Sequence, residues 1–202
     1  MTGTASPSAA TSEAPLDVQV LQTAAALENL AVVSYTSAAS MPFVAAGSAR
    51  LRDLIARNRT HHAAHAQAFN QAVVKAGGAQ QHAPDARYAE SVGRLLAGMR
   101  GPSSLAGLLN EIEGIIAQTC TRYASLAAGG ALRSMFVNVA SVEAQHSAEL
   151  LIVRTLLDGG HSGLGVIGAD VRSLPASAGT AGIPQVTYPT ADASAINEGV
   201  AR

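Results

Sequence analysis

Several shortages in this sequence each remove a class of protein. A single cysteine, Cys120, excludes an intramolecular disulfide and any cysteine-built zinc or iron–sulfur site. Aromatic residues make up 3% of the chain, with no tryptophan, and the charge is nearly even at 13 basic against 14 acidic residues. No basic stripe interleaved with aromatics exists, which argues against nucleic acid as a partner. No apolar run approaches the ~18 residues that a membrane-spanning helix requires. The opening MTGTASPSAATSEAP has no Lys or Arg and no apolar core, so it does not read as a signal peptide. The chain is therefore expected to be soluble and cytoplasmic. Period-two alternation is missing, as are a glycine-rich phosphate loop after a strand and a nucleophile elbow.

What remains is alanine and helical periodicity. Hydrophobic residues reach 48% of the 202 positions, and much of that share is alanine, the strongest helix former and well suited to close helix packing. Residues 1–15 are a Ser/Thr/Ala/Pro lead-in expected to be disordered. A first helix is predicted from about Asp17 to Ser40, with Leu21, Ala24, Glu28, Ala31 and Tyr35 on one face. Met41-Pro42 and Gly47 interrupt the pattern. A second helix is predicted from about Ser48 to Ala76, with Ile55, Asn58, His62, His65, Phe69 and Ala72 on one face, and Gly77-Gly78 stops it. A connector follows to about residue 102, holding Pro84 and a short helical stretch from Asp85 to Met99. The third helix should run from about Ser103 to Ala128 and the fourth from Ala131 to Leu157, each closed by a Gly-Gly pair. From residue 158 to 202 the chain is Gly, Ala, Ser and Pro rich, with an extended IPQVTYPT, and is expected to be an irregular tail along the surface. Four long helices, two short links and one long connector between the second and third helices predict an all-α four-helix bundle over residues 16–157.

The two halves of that bundle repeat each other. LENLAVVSYT, from Leu27, aligns with IEGIIAQTCT, from Ile112, so that Glu28 meets Glu113. HAAHAQAF, from His62, aligns with EAQHSAEL, from Glu143, so that His62 meets Glu143 and His65 meets His146. Each half is a helix with a lone Glu followed by a helix carrying a polar pair at i, i+3. Residues three apart share a helix face, so both members can reach one point in the core. Glu143 sits among Phe136, Val139 and Leu150, and burying an unpaired carboxylate costs several kcal/mol or forces its protonation. A bound cation resolves that cost, and carboxylate oxygens with imidazole nitrogens suit iron, manganese or zinc. Glu113 lies on the apolar face and Glu111 on a polar strip, so Glu113 is the ligand candidate. His62 is open between a ligand, a hydrogen-bond partner of ligands and a neutral core histidine. His61, about 100° from His62 on an ideal helix, is expected to be peripheral. His82 and His161 fall in loops, Tyr35 reads as a packed tyrosine, and Cys120 reads as a small buried hydrophobe.

In these motifs the chain resembles the ferritin-like superfamily of di-iron-carboxylate bundles, and within it the bacterial branch related to desiccation-associated proteins. The resemblance covers about residues 16–157, and the tail's YPT…INEGVAR is also similar to that branch. It implies a metal site of the form Glu, Glu-x-x-His, Glu, Glu-x-x-His. Glu28, Glu113, Glu143 with His146, and His65 match, whereas His62 stands where the family has Glu. Two divalent ions carry +4, which four carboxylates would cancel, and the three here leave +1. The resemblance implies two iron ions as cofactor, with manganese or zinc as alternatives. It further implies O₂ or peroxide as partner in Fe(II) oxidation, for iron handling or for oxidative or desiccation stress. An alternative reading is a non-catalytic, stress-protective bundle with a degenerate or mononuclear site. An alanine-rich helix face suits self-association as a homodimer.

Overall fold

The structure is a computed structural model that describes residues 15–164 and 190–201. These residues contain six α-helices and no strand. α1 (Leu16–Ala39) begins directly after Pro15, with Asp17 placing negative charge in its first turn. α2 (Pro42–Ala45) is a single turn started by Pro42 at its first position, where a missing N–H costs nothing. α3 (Ala49–Lys75), α4 (Ala86–Gly98), α5 (Pro102–Leu126) and α6 (Gly130–Asp158) follow. The sequence reading gave the Met41–Gly47 break but not the helical turn inside it. Proline there both ends α1 and nucleates α2.

Glycine sets two of the helix ends. Gly77 has φ +83°, and the N–H groups of Gly77 and Gly78 donate to the carbonyls of Val74 and Val73 at 3.0 and 2.9 Å. Two of the carbonyls in the last turn of α3 are thereby paired in a Schellman motif. Gly160, also at φ +83°, closes α6 in the same way: its N–H donates to Leu157 and that of His161 to Leu156.

The bundle is built from two antiparallel hairpins. α1 packs on α3 and α5 on α6, with α1 against α5 joining the pairs. The crossover between α3 and α5 carries α4 across α1. It is anchored by the Asp85 N–H donating to the Ala26 carbonyl at 3.0 Å, while the Asp85 side chain caps α4 through the Arg87 N–H. Below the polar centre the core is apolar: Phe69 lies 5.4 Å from Phe136 between ring centroids, and Tyr123 meets Phe136 edge-on at 5.7 Å. No helix among the described residues is long and apolar enough to cross a membrane.

Residues 190–201 dock in the groove of α1 and α5. Tyr123 donates to the Ser194 and Ala195 carbonyls at 2.9 and 2.8 Å, and Thr23 donates to Ile196 at 3.0 Å. Gln81 donates to Gly199, and Arg87 pairs with Glu198 at 2.7 Å. The lead-in through residue 14 and all of IPQVTYPT but Thr190 lie outside the described residues. A side chain at Gly199 would meet Thr23 Cα at 2.5 Å and Ala26 Cβ at 2.7 Å. Gly199→Val is therefore expected to lower stability by ~1–3 kcal/mol, read as a lower urea midpoint with faster proteolysis of the tail. An unchanged midpoint would show that the docked tail contributes nothing to stability.

Candidate metal centre

The two hairpins each deliver three polar side chains to one level of the core. α1 supplies Glu28 and α3 supplies His62 and His65; α5 supplies Glu113, and α6 supplies Glu143 and His146. The three glutamates and His62 are fully buried, His146 is 3% exposed, and the His65 side chain keeps 17%. Four helices hold them there because each flanking turn is apolar: Leu21 and Ala31 around Glu28, Leu109 and Ile116 around Glu113, Val139 and Leu150 around Glu143.

The donor atoms form two overlapping groups. Glu28, His62, His65 and Glu143 make one, and His62, Glu113, Glu143 and His146 the other; within each, the ligating atoms all lie within 4.8 Å of one another. His62 and Glu143 belong to both. His62 Nδ1 lies 2.8 Å from Glu28 Oε2, and its Nε2 lies 3.0 Å from Glu113 Oε1. His65 Nδ1 is 2.6 Å from Glu143 Oε1, and His146 Nδ1 is 2.9 Å from Glu143 Oε2. Both of these histidines thus turn the same nitrogen inward, as the repeat requires.

Three imidazoles beside three carboxylates settle the charges in the metal-free core. Burial pushes the His62 pKa down, but the charge of Glu113 and the bonds to Glu113 and Glu28 outweigh it and hold it well above the ordinary range. His65 is likewise opposed by burial, yet its bond to Glu143 and the nearby Glu28 carboxylate raise it to about 9. His146 reaches about 9 through Glu113 and Glu143 against the same desolvation. Burial would raise Glu113, but the charge of His62, the neighbouring His146 ring and the bond from His62 hold it well below the usual carboxylate range. Protons on imidazole therefore do the work a cation can do.

Two buried carboxylate oxygens, Glu28 Oε1 and Glu113 Oε2, have no hydrogen-bond partner. Their nearest imidazole nitrogens stand off at 3.6 Å (His65) and 3.5 Å (His146). Carboxylate oxygens left without a hydrogen bond in a dry core are suited to ligating a cation. Six O and N donors without sulfur match a transition metal of the iron, manganese or zinc kind, so the residues present fit the group the resemblance implies.

Around this set lie residues the sequence reading placed differently. His61 is not peripheral: its Nδ1 lies 2.9 Å from His146 Nε2, and the two rings stack with centroids 5.2 Å apart. The 100° offset from His62 turns it toward α6 rather than away from the site. Burial and the neighbouring His146 and His65 charges lower its pKa, so it accepts from His146 as a neutral ring. Its spacing of four from His65 was the signal for this, since residues four apart share a helix face. Tyr35 is more than a packed ring, because it donates a short hydrogen bond to Glu113 Oε1 and accepts from Asn58 Nδ2 at 3.2 Å. Burial, then the Glu113 charge, pushes its phenol far up, so it remains a donor. Cys120 is a buried thiol pushed up by burial. Glu111 faces an open groove with Arg94, Arg100 and Arg154, and His82 and His161 are exposed, away from the centre.

The family model of the ferritin-like domain matches residues 16–157, the span from the first turn of α1 to the last of α6. This chain belongs to the ferritin-like domain family. No curated protein and no solved structure matches the chain. Membership agrees with the paired hairpins and the long crossover, and the match is to the ferritin-like domain as a whole rather than to its desiccation-associated branch.

Proposed function

We propose that this ferritin-like protein binds iron through Glu28, His62, His65, Glu113, Glu143 and His146, and that it oxidises Fe(II) with O₂ or peroxide in iron handling or stress defence. The observation that carries the reading is the pair of orphaned oxygens, Glu28 Oε1 and Glu113 Oε2, inside a closed ring of imidazole and carboxylate donors. Bound iron would supply the redox chemistry. The chain's own contribution is placement and exclusion of water. Tyr35 fixes the Glu113 carboxylate, and His61 fixes the orientation of the His146 ring. The partly exposed edge of His65 marks the side from which a small oxidant arrives.

Elemental analysis after anaerobic Fe(II) loading, followed by admission of O₂ or peroxide and the rise of ferric absorbance, tests both halves. Protein that retains no transition metal defeats the binding claim, and loaded protein that stays ferrous defeats the oxidation claim. A second reading has its own support: three imidazoles and three carboxylates form four close pairs without metal, as a purely structural bundle would need. His61→Ala is expected to weaken metal retention about 10–100-fold, the usual effect of removing a ligand's hydrogen-bond partner. Competition with a chelator of known affinity measures this. Unchanged retention would remove His61 from the site.

A further inference from the structure

Resting on the metal reading above, the hydrogen-bond directions around His62 make the two donor groups unequal. Asn58 Nδ2 donates to the Tyr35 oxygen at 3.2 Å, so the phenol hydrogen is left for Glu113 Oε1. The same Glu113 oxygen lies 3.0 Å from His62 Nε2. An ionised carboxylate oxygen only accepts, so His62 presents Nε2–H to it. Glu113 Oε1 is thus engaged by two donors that belong to the protein. At the opposite edge of the ring, Nδ1 faces Glu28 Oε2 at 2.8 Å and Glu143 Oε1 at 3.7 Å. His65 Nδ1 faces both of those carboxylates as well, and Glu28 Oε1 has no partner.

A neutral imidazole has one in-plane lone pair and one N–H. It can ligate a metal in one group only while donating in the other. We propose that Glu28, His62 through Nδ1, His65 and Glu143 form the primary metal site. Glu113, Glu143 and His146 then form a secondary site that lacks a fourth side-chain donor and fills later and more weakly. His62 would give up the Nδ1 proton on holding a divalent ion through that nitrogen, while its Nε2–H would stay on Glu113. Charge supports the order. Two carboxylates, Glu28 and Glu143, cancel one divalent ion, whereas a second ion adds +2 against Glu113 alone. The single exchange of a glutamate for His62 in the duplicated motif therefore turns a symmetric pair of positions into a ranked one.

Co(II) serves as the probe, titrated anaerobically into the full chain and followed by visible absorption and by cobalt content after desalting. One Co(II) per chain is expected to be retained through desalting, with a second and distinctly weaker step. Glu28→Gln, which conserves volume, should abolish the first step, and His65→Ala should do the same. Glu113→Gln and His146→Ala should leave the first step in place and remove the second. His62→Glu should bring the two steps together. Thermal melts confirm that each variant is folded. Two steps of equal affinity in the unaltered chain overturn the ranking while leaving the metal centre standing. Loss of the first step in Glu113→Gln with its survival in Glu28→Gln overturns the assignment. Absence of any bound Co(II) or Fe(II) overturns both this inference and the metal reading.

Discussion

Anaerobic Fe(II) at about a thousandfold over its dissociation constant is expected to raise the melting temperature by roughly 8–16 °C. An ion that binds only the folded chain adds ~4.1 kcal/mol at that excess, and 1 kcal/mol moves a domain of this size by ~2–4 °C. Glu143→Ala should erase the increment, because Glu143 is the one carboxylate that contributes to both donor groups. The variant should also melt lower without metal. His65 and His146 each lose their shortest carboxylate contact, at 2.6 and 2.9 Å, and breaking a buried pair from one side costs ~3–5 kcal/mol. Differential scanning calorimetry of both chains, with and without Fe(II), reads the four values. If metal shifts neither chain, the polar core belongs to a structural bundle and the metal reading falls, however far Glu143→Ala lowers the metal-free melt.

The same comparison separates two ways of stabilising one set of buried charges. In the metal-free chain the carboxylates are held by protonated imidazole, and in the loaded chain by the ion itself. Neither requires the helices to move, since the donors of each group are already within 4.8 Å of one another. A centre assembled before its ion arrives has little ordering entropy to lose on binding, which is why a large shift in melting temperature is expected rather than a refolding.

The four long helices and the convergence of six polar side chains were legible because both follow from spacing. Apolar residues three and four apart define the buried faces, and the duplication that aligns Glu28 with Glu113 and His65 with His146 fixes their level. Other features leave no such trace. The docking of residues 190–201 depends on backbone carbonyls accepting from Tyr123, Thr23 and Gln81, and on the missing side chain of Gly199; none of that has a periodicity. The α2 turn was hidden behind Pro42, which reads equally as a break and as a first helical residue. The place of His61 leaves no trace either, because an angle on one helix says nothing of what the neighbouring helix presents, and α6 presents His146 Nε2. Tyr35 donating to Glu113 links α1 to α5, across an interface that a single-helix pattern cannot register.

Between pH 6 and pH 9 the metal-free and metal-loaded chains are expected to diverge in stability. His65 and His146 are raised to about 9, and His62 is raised in the same direction. A histidine in the unfolded chain titrates near ~6.5. Groups raised on folding contribute their full stability below the unfolded value and lose it as pH climbs through the folded one. The metal-free chain should therefore weaken from about pH 6.5 to pH 9, by an amount on the order of a few kcal/mol. Glu113 has the opposite sign. Its carboxyl is held low in the fold, so its contribution is present above the unfolded value of ~4.3 and is lost as pH falls. Maximum stability without metal then lies between about pH 4.5 and 6.5. Metal must displace protons from the imidazoles it meets, so its affinity rises over the range where the metal-free chain weakens. Thermal melts at pH 6, 7.5 and 9, with and without Zn(II) as a redox-inert probe, should show a gap that widens with pH. His65→Ala and His146→Ala should each flatten the metal-free profile. A gap that stays constant or narrows toward pH 9 would mean that protons and metal do not compete for these imidazoles, and the centre would have to be assigned elsewhere.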